Sequence, residues 1–91
     1  MNKTIYRYEV GFDRPETHRL TSPPRHVANT VDEYGLEFWA EHYPNCKGFD
    51  VTFVVIGTGH PVPDGAIYIG TAPRTSLGLV FHLYELPKVA S

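Results

Sequence analysis

The sequence predicts a single small domain built mainly of β-strands, arranged as an antiparallel barrel or sandwich of six or seven short strands. Three observations lead to this prediction. A chain of 91 residues is long enough for one hydrophobic core and too short for a second. Segments in which apolar and polar side chains alternate recur along the chain, and Gly- and Pro-rich segments separate them. The 42% of hydrophobic residues include six Tyr, five Phe and one Trp, which is enough to fill one core.

The first third of the chain predicts one clear strand and two shorter ones. Residues 4–10 alternate regularly and contain aromatic and β-branched side chains, as a strand with one buried face does. Residues 11–16 are expected to form a turn, because Pro15 cannot donate to a strand ladder. Residues 17–20 and 25–31 are expected to form short strands on either side of a Ser-Pro-Pro turn.

The segment from Thr30 to Tyr43 fits two structures. As a helix, it would begin at Thr30 with Glu33 as the capping-box partner. Gly35 would then lie inside the helix at a cost of about 1 kcal/mol relative to Ala. As a hairpin, the segment would turn at residues 32–35 and continue as a strand over residues 36–43. The pattern by itself leaves both alternatives open.

The second half of the chain predicts three strands. Residues 49–56 give the strongest signal, and the end of this segment is apolar on both sides, as expected for a central strand covered on both faces. Residues 66–71 and 79–86 are expected to form the other two strands. We expect residues 87–91 to form a tail of a single domain that spans residues 1–91.

Composition and charge disfavour several functions. The net charge is −2, and the eight basic residues are scattered, so we do not expect binding to DNA. No apolar run is long enough to cross a bilayer, and no signal peptide is expected at the N-terminus. A single cysteine, Cys46, suits a reducing compartment, so we expect a cytoplasmic protein. A domain this small exposes much of its surface, which favours a homo-oligomer.

The loop that begins Gly57-Thr58-Gly59-His60 is the main candidate for a binding site. Two glycines one residue apart could expose consecutive N–H groups to an anion, and the Thr58 hydroxyl and His60 could add donors. The loop lacks the Lys-Ser/Thr of a P-loop, and its prolines exclude a helix of the dinucleotide-binding type. A structural turn that uses glycine for positive φ is the alternative interpretation.

Four more residues are candidates for the same ligand site. Arg74 could clamp a phosphate or belong to an ordinary solvated loop. His82 lies on a strand face that could line a pocket, although a hydrogen-bonded packing role is more common for such a residue. Trp39 and Tyr43 could stack on a base, although packing in the core or at an interface is the plainer explanation for such aromatics. The spacing of the five His and the single Cys predicts no metal site, and no catalytic constellation or cofactor motif stands out.

Several segments resemble a family of short uncharacterised proteins encoded largely by phages and related mobile elements. They are the opening KTIYRYEV, then VVIGTGHPVP, YIGT and LVFHLYE. The match extends over nearly the whole chain, and Trp39-Ala40 matches a strand of the family, which favours the hairpin over the helix. The chain departs from the family pattern at Asn29 to Tyr34, where it carries a few extra residues.

The resemblance implies an accessory phage protein that acts in the infected host cell. From it we expect an anti-defence protein: a homo-oligomer that binds and sequesters a small nucleotide-derived signalling molecule. A protein–protein inhibitor of a host defence enzyme is the alternative hypothesis, and an enzyme that degrades the signal is the third. The sequence favours binding over catalysis, because no second catalytic group accompanies His60 or His82.

Overall fold

The computed structural model describes residues 2–88, which form seven β-strands in two antiparallel sheets. This confirms the sandwich, one of the two predicted architectures. Residues 89–91 of the predicted tail lie outside the described residues. The strands are β1 (Thr4–Gly11), β2 (Glu16–Leu20), β3 (His26–Asn29), β4 (Gly35–His42), β5 (Phe49–Gly57), β6 (Ile67–Thr71) and β7 (Phe81–Glu85).

The chain distributes its strands between a three-stranded sheet and a four-stranded sheet. The order in the first sheet is β1-β4-β3, and the order in the second is β2-β5-β7-β6. Each pair of neighbours is antiparallel. The chain measures 42 × 33 × 17 Å. Because stacked sheets lie about 10 Å apart, the shortest dimension has room for two layers and no third.

The core lies between the sheets and is formed by one face of each layer. Phe38 of β4 and Phe53 of β5 are both 0% exposed, and their ring centroids lie 4.7 Å apart. Burying one such side chain stabilises the folded state by about 1.5–3 kcal/mol. The alternation predicted for residues 36–43 is confirmed, since Leu36, Phe38 and Ala40 are all buried. In residues 4–10 the predicted inward face is buried only at its end: Val10 is buried and Tyr8 is partly buried, whereas Thr4 and Tyr6 are exposed. The buried apolar residues are Val10, Leu20, Val27, Leu36, Phe38, Ala40, Val51, Phe53, Ala72 and Leu83.

The segment from Thr30 to Tyr43 is a hairpin, as the resemblance favoured, and not a helix. In the turn, the N–H of Glu33 donates to the carbonyl of Thr30, and the N–H of Thr30 donates to the carbonyl of Gly35. The Asp32 carboxylate accepts from the Tyr34 N–H and from the Thr30 hydroxyl. These two hydrogen bonds hold the pKa of Asp32 below its ordinary value. Glu33 adopts a positive φ of 63°, which a tight turn requires and a helix forbids.

The central position predicted for residues 49–56 is confirmed, but the predicted covering of both faces is not observed. Phe53 faces the core, whereas Val54 and Ile56 face away from it and are partly exposed. The four-stranded sheet packs on one other layer only, so its outer face has no described element above it. The last strand is also shorter than predicted: it begins at Phe81, and Leu79 lies exposed in the preceding loop.

Substitution of Gly35 tests how closely β1 and β4 approach. A Cβ at Gly35 would lie 2.7 Å from the carbonyl oxygen of Val10, which is backbone and cannot rotate away. We expect Gly35→Ala to lower the free energy of unfolding by about 1–3 kcal/mol, the usual cost of overpacking. Gly11 is the register partner of Gly35 and meets only flexible side chains, so Gly11→Ala is the control and should change stability little. Chemical denaturation measures both, and equal effects would contradict the explanation.

Candidate functional site

A pocket of about 500 Å³ lies at one end of the sandwich and contains half of the predicted site residues. The end of β5 and the turn after it form one side. The loop between β6 and β7 forms the other side, and the start of β7 forms the floor. The lining residues are Gly57, Thr58, His60, Arg74, Gly78, Leu79, Val80 and Phe81. The structure therefore brings Arg74 together with Gly57, Thr58 and His60, which precede it by 14 to 17 positions in the sequence.

The glycine loop forms a hydrogen-bonded turn, and this changes what it can offer a ligand. The His60 N–H donates to the Gly57 carbonyl, and the Thr58 N–H donates to the Val80 carbonyl. Gly59 has a φ of +90°, the conformation needed at the third position of a type II turn. The expected row of exposed N–H groups is therefore not present, because β5 continues its pairing beyond Gly57. A ligand here would be held by side chains.

Arg74 supplies the positive charge of the pocket. Its Nη1 atom donates to the Gly78 carbonyl at 3.1 Å, which fixes the guanidinium against its own loop. Within residues 2–88 it makes no ion pair, whereas Lys3, Arg7 and Arg19 each have an acidic partner. No acidic side chain lines the pocket. This charge is therefore available to an anionic ligand.

Glu33 holds the Arg74 loop from the opposite sheet. Its carboxylate accepts from the Ser76 N–H at 3.1 and 3.2 Å and from the Ser76 hydroxyl at 2.5 Å. Inside the loop, the buried Thr75 donates its N–H to the Leu79 carbonyl at 2.8 Å. Sequence reasoning missed Glu33 because only the folded hairpin brings it to Ser76. Its role is to position the loop.

His82 does not line the pocket but anchors the turn from the outer face of the four-stranded sheet. Its Nε2 lies 2.8 Å from the Thr58 hydroxyl, and its Nδ1 lies 2.8 Å from the Thr71 hydroxyl. The Tyr68 hydroxyl lies 2.5 Å from that of Thr71. At the other end, the Thr58 hydroxyl donates to the Val80 carbonyl at 3.2 Å. Whether the Thr58 hydroxyl donates to Val80 or to His82, its single proton is used and is not free for a ligand.

Trp39 and Tyr43 lie away from the pocket. Trp39 is on the outer face of the three-stranded sheet, where it packs against His26 with a centroid distance of 5.6 Å. Tyr43 follows the end of β4, near Lys3, at the opposite end of the sandwich. Neither can stack on a ligand bound beside Arg74. Phe81 and Leu79 of the pocket are the apolar surfaces that sequence reasoning missed.

A second depression, of about 620 Å³, lies at the other end of the four-stranded sheet. Its arginine, Arg19, donates to the Asp50 carboxylate at 3.1 Å and to the Lys47 and Gly48 carbonyls. This guanidinium is already engaged by charge and by hydrogen bonds, and the carboxylates of Asp50 and Glu85 share the lining with Lys88. The smaller pocket, which no acidic side chain lines, is therefore the better candidate for an anion.

Within residues 2–88, no cluster of three or more His, Cys, Asp or Glu side chains could hold a metal ion. Nor does that part of the chain contain a helix that could span a membrane.

Residues 2–88 thus form a small all-β sandwich with a positively charged pocket at one end. The chain belongs to the family described as domain of unknown function (DUF7352), whose family model matches residues 1–91. Searches of curated proteins and of solved structures found no match.

The hydrogen bonds around His82 predict its tautomer. When the Thr58 hydroxyl donates to the Val80 carbonyl, it accepts from His82, so we predict the ring proton on Nε2, with Nδ1 accepting from Thr71. ¹⁵N chemical shifts of the neutral ring should show the Nε2–H form predominating. Thr71→Val should weaken this preference, since it removes the donor to Nδ1. A predominant Nδ1–H form in the unsubstituted protein would contradict the assignment.

Replacing Glu33 tests whether it holds the Arg74 loop. Glu33→Gly removes the carboxylate but suits the positive φ, so the turn should persist. We expect the Ser76 amide to exchange with solvent at least tenfold faster, as measured by hydrogen exchange with NMR detection. Glu33→Asn, whose shorter side chain also tolerates this φ, should have the same effect. Unchanged protection in both variants would show that the carboxylate does not hold the loop.

Proposed function

We propose that this protein binds a small nucleotide-derived ligand in the end pocket and holds it without chemical change. The observation that carries the proposal is the Arg74 guanidinium, which has no acidic partner within residues 2–88 and lies in a pocket without acidic lining. A guanidinium binds phosphate oxygens in a planar, bidentate manner. His60, on the facing turn, is the second side chain that could donate to the same phosphate.

The rest of the pocket suits the less polar part of such a ligand. Phe81 and Leu79 form an apolar wall beside the charged side chains. The Phe81 ring is held by stacking on Phe12 at a centroid distance of 4.2 Å. A rigid aromatic surface next to a cation is what a base attached to a phosphate requires.

Binding is favoured over catalysis by the state of the polar groups. Both ring nitrogens of His82 are engaged by threonine hydroxyls, and Thr58 has no proton to give. No carboxylate lies in the pocket to act with His60 as a second acid or base. The biological role we propose is the one implied by the resemblance to phage-encoded proteins: sequestration of a defence signal in the host cytoplasm.

Inhibition of a host protein is a second candidate, and a specific surface favours it. Val31 is fully exposed, Leu77 is 83% exposed and Tyr34 is 75% exposed. The Glu33–Ser76 contact brings the two loops that carry these residues together. Exposed apolar side chains grouped in this way are typical of protein-binding surfaces. A partner that loses affinity for Leu77→Ser, while ligand binding persists, would support this candidate.

Thermal-shift and calorimetric titrations test the ligand site. The probes are cyclic ADP-ribose, cyclic dinucleotides and 5′-nucleotides, with adenosine as the uncharged comparison. At least one phosphate-bearing probe should raise the unfolding temperature. Its Kd should weaken about tenfold or more in Arg74→Gln, since a charge-assisted hydrogen bond contributes about 1.5–3 kcal/mol.

Arg19→Gln is the matched control, because Arg19 is also exposed but is already bound to Asp50 at the other end. It should leave the Kd unchanged. A ligand recovered intact after heat denaturation distinguishes sequestration from degradation. The proposal would be overturned if no probe at about 100 µM changed the unfolding temperature. A Kd of this size corresponds to a binding free energy of about −5.5 kcal/mol.

A further inference from the structure

Strand β1 has an open edge. Only β4 pairs with it, so the backbone groups on its other side have no strand to bond within residues 2–88. The Phe12 N–H donates toward β4, whereas the Gly11 N–H and the Glu9 carbonyl face the other way. Because backbone direction alternates along a strand, the N–H and C=O groups of Ile5 and Arg7 also face the open edge.

The chain protects one half of this edge and leaves the other half bare. Glu16 accepts from the Gly11 N–H at 2.6 Å, and the His18 ring lies 2.8 Å from the Glu9 carbonyl. No corresponding side chain within residues 2–88 bonds the backbone of Ile5 or Arg7 on the open side. Ile5 is 58% exposed at this bare stretch. An unprotected edge with exposed apolar side chains is a surface for strand addition.

We propose that the bare half of β1 pairs with β1 of a second copy of this chain. The two strands run antiparallel about a two-fold axis at Tyr6 and join the three-stranded sheets into one sheet of six strands. In this register Ile5 lies opposite Arg7 of the second copy, and the two residues exchange hydrogen bonds. Tyr6, 46% exposed, lies opposite its own copy across the axis, where the strands approach most closely.

Charge selects this register over its neighbours. Lys3 and Glu9 lie on the same outer face of β1 as Arg7, and in the proposed register Lys3 lies opposite Glu9 of the second copy. Moving the axis to Ile5 would place Lys3 opposite Arg7, and moving it to Arg7 would place two arginines opposite each other. Like charges directly opposite destabilise a strand pair.

The contact also relieves a repulsion inside each chain. Glu9 lies directly opposite Glu37 in the β1–β4 register, and Arg7, which bonds both carboxylates, compensates them from one side only. Lys3 of the second copy would approach Glu9 from the other side. The strand contact is short and belongs with small interfaces, so assembly should depend on protein concentration.

Sedimentation equilibrium and light scattering test the proposal without any ligand, so its outcome is independent of the proposed function. The mass should rise toward twice the 10.3 kDa of the chain between micromolar and millimolar concentration. Ile5→Pro removes an N–H that faces away from β4, so the fold should persist while the dimer is lost. Ile5→Val retains the N–H and should retain the dimer. A monomer throughout this range, or a folded Ile5→Pro that still dimerises, would overturn the proposal.

A charge-exchange experiment tests the register and does not depend on the proline variant. Lys3→Glu and Glu9→Lys should each weaken self-association at least tenfold, because each creates like-charge contacts across the axis. An equimolar mixture of the two variants should recover it, since both cross-axis pairs then have opposite charges. Recovery should diminish at high salt. If the mixture associates no more strongly than either variant alone, the proposed register is wrong.

Discussion

The Phe38–Phe53 contact between the two sheets is the interaction on which the rest of the structure depends. Each ring comes from a strand with neighbours on both sides, so each sheet is fixed to the other at its middle. Tyr8 stacks on Phe38 with a centroid distance of 5.1 Å and extends the aromatic layer to β1. Leu20, Leu36 and Leu83, each at most 1% exposed, pack around it in the same core. The register of the strands within each sheet then brings the loops together at each end.

The pocket is a consequence of that register. The end of β5 pairs with the start of β7, which places the Gly57–His60 turn beside Phe81. The loop that carries Arg74 must then close over the same end, and Glu33 fixes it from the other sheet. Two loops therefore form the site. His82 and the β5–β7 pairing hold the turn after β5, and Glu33 holds the loop that carries Arg74. The polar side chains of the site are pre-positioned, which lowers the entropic cost of binding.

Strand positions could be predicted from the sequence because alternation is a local property. Leu36, Phe38 and Ala40 could be assigned to one face, and they are the buried ones. Alternation cannot show whether an apolar outer face will be covered, so Val54 and Ile56 were expected under a second layer that is not present. Backbone pairing is not local either. The sequence of the glycine loop indicated a turn but not that its N–H groups would bond to Val80 and Gly57.

The hydrogen-bond chain through His82 has a direction, and the direction couples its two ends. Each hydroxyl has one proton and the neutral ring has one, so a ring proton on Nε2 is donated to Thr58 while Nδ1 accepts from Thr71, and a ring proton on Nδ1 reverses both hydrogen bonds. A reversed chain would use the Thr58 proton on His82 and release the Val80 carbonyl from that hydroxyl. The tautomer of His82 therefore links the hydrogen bonds of Thr71, on the outer face of the sheet, with those of the turn beside the pocket.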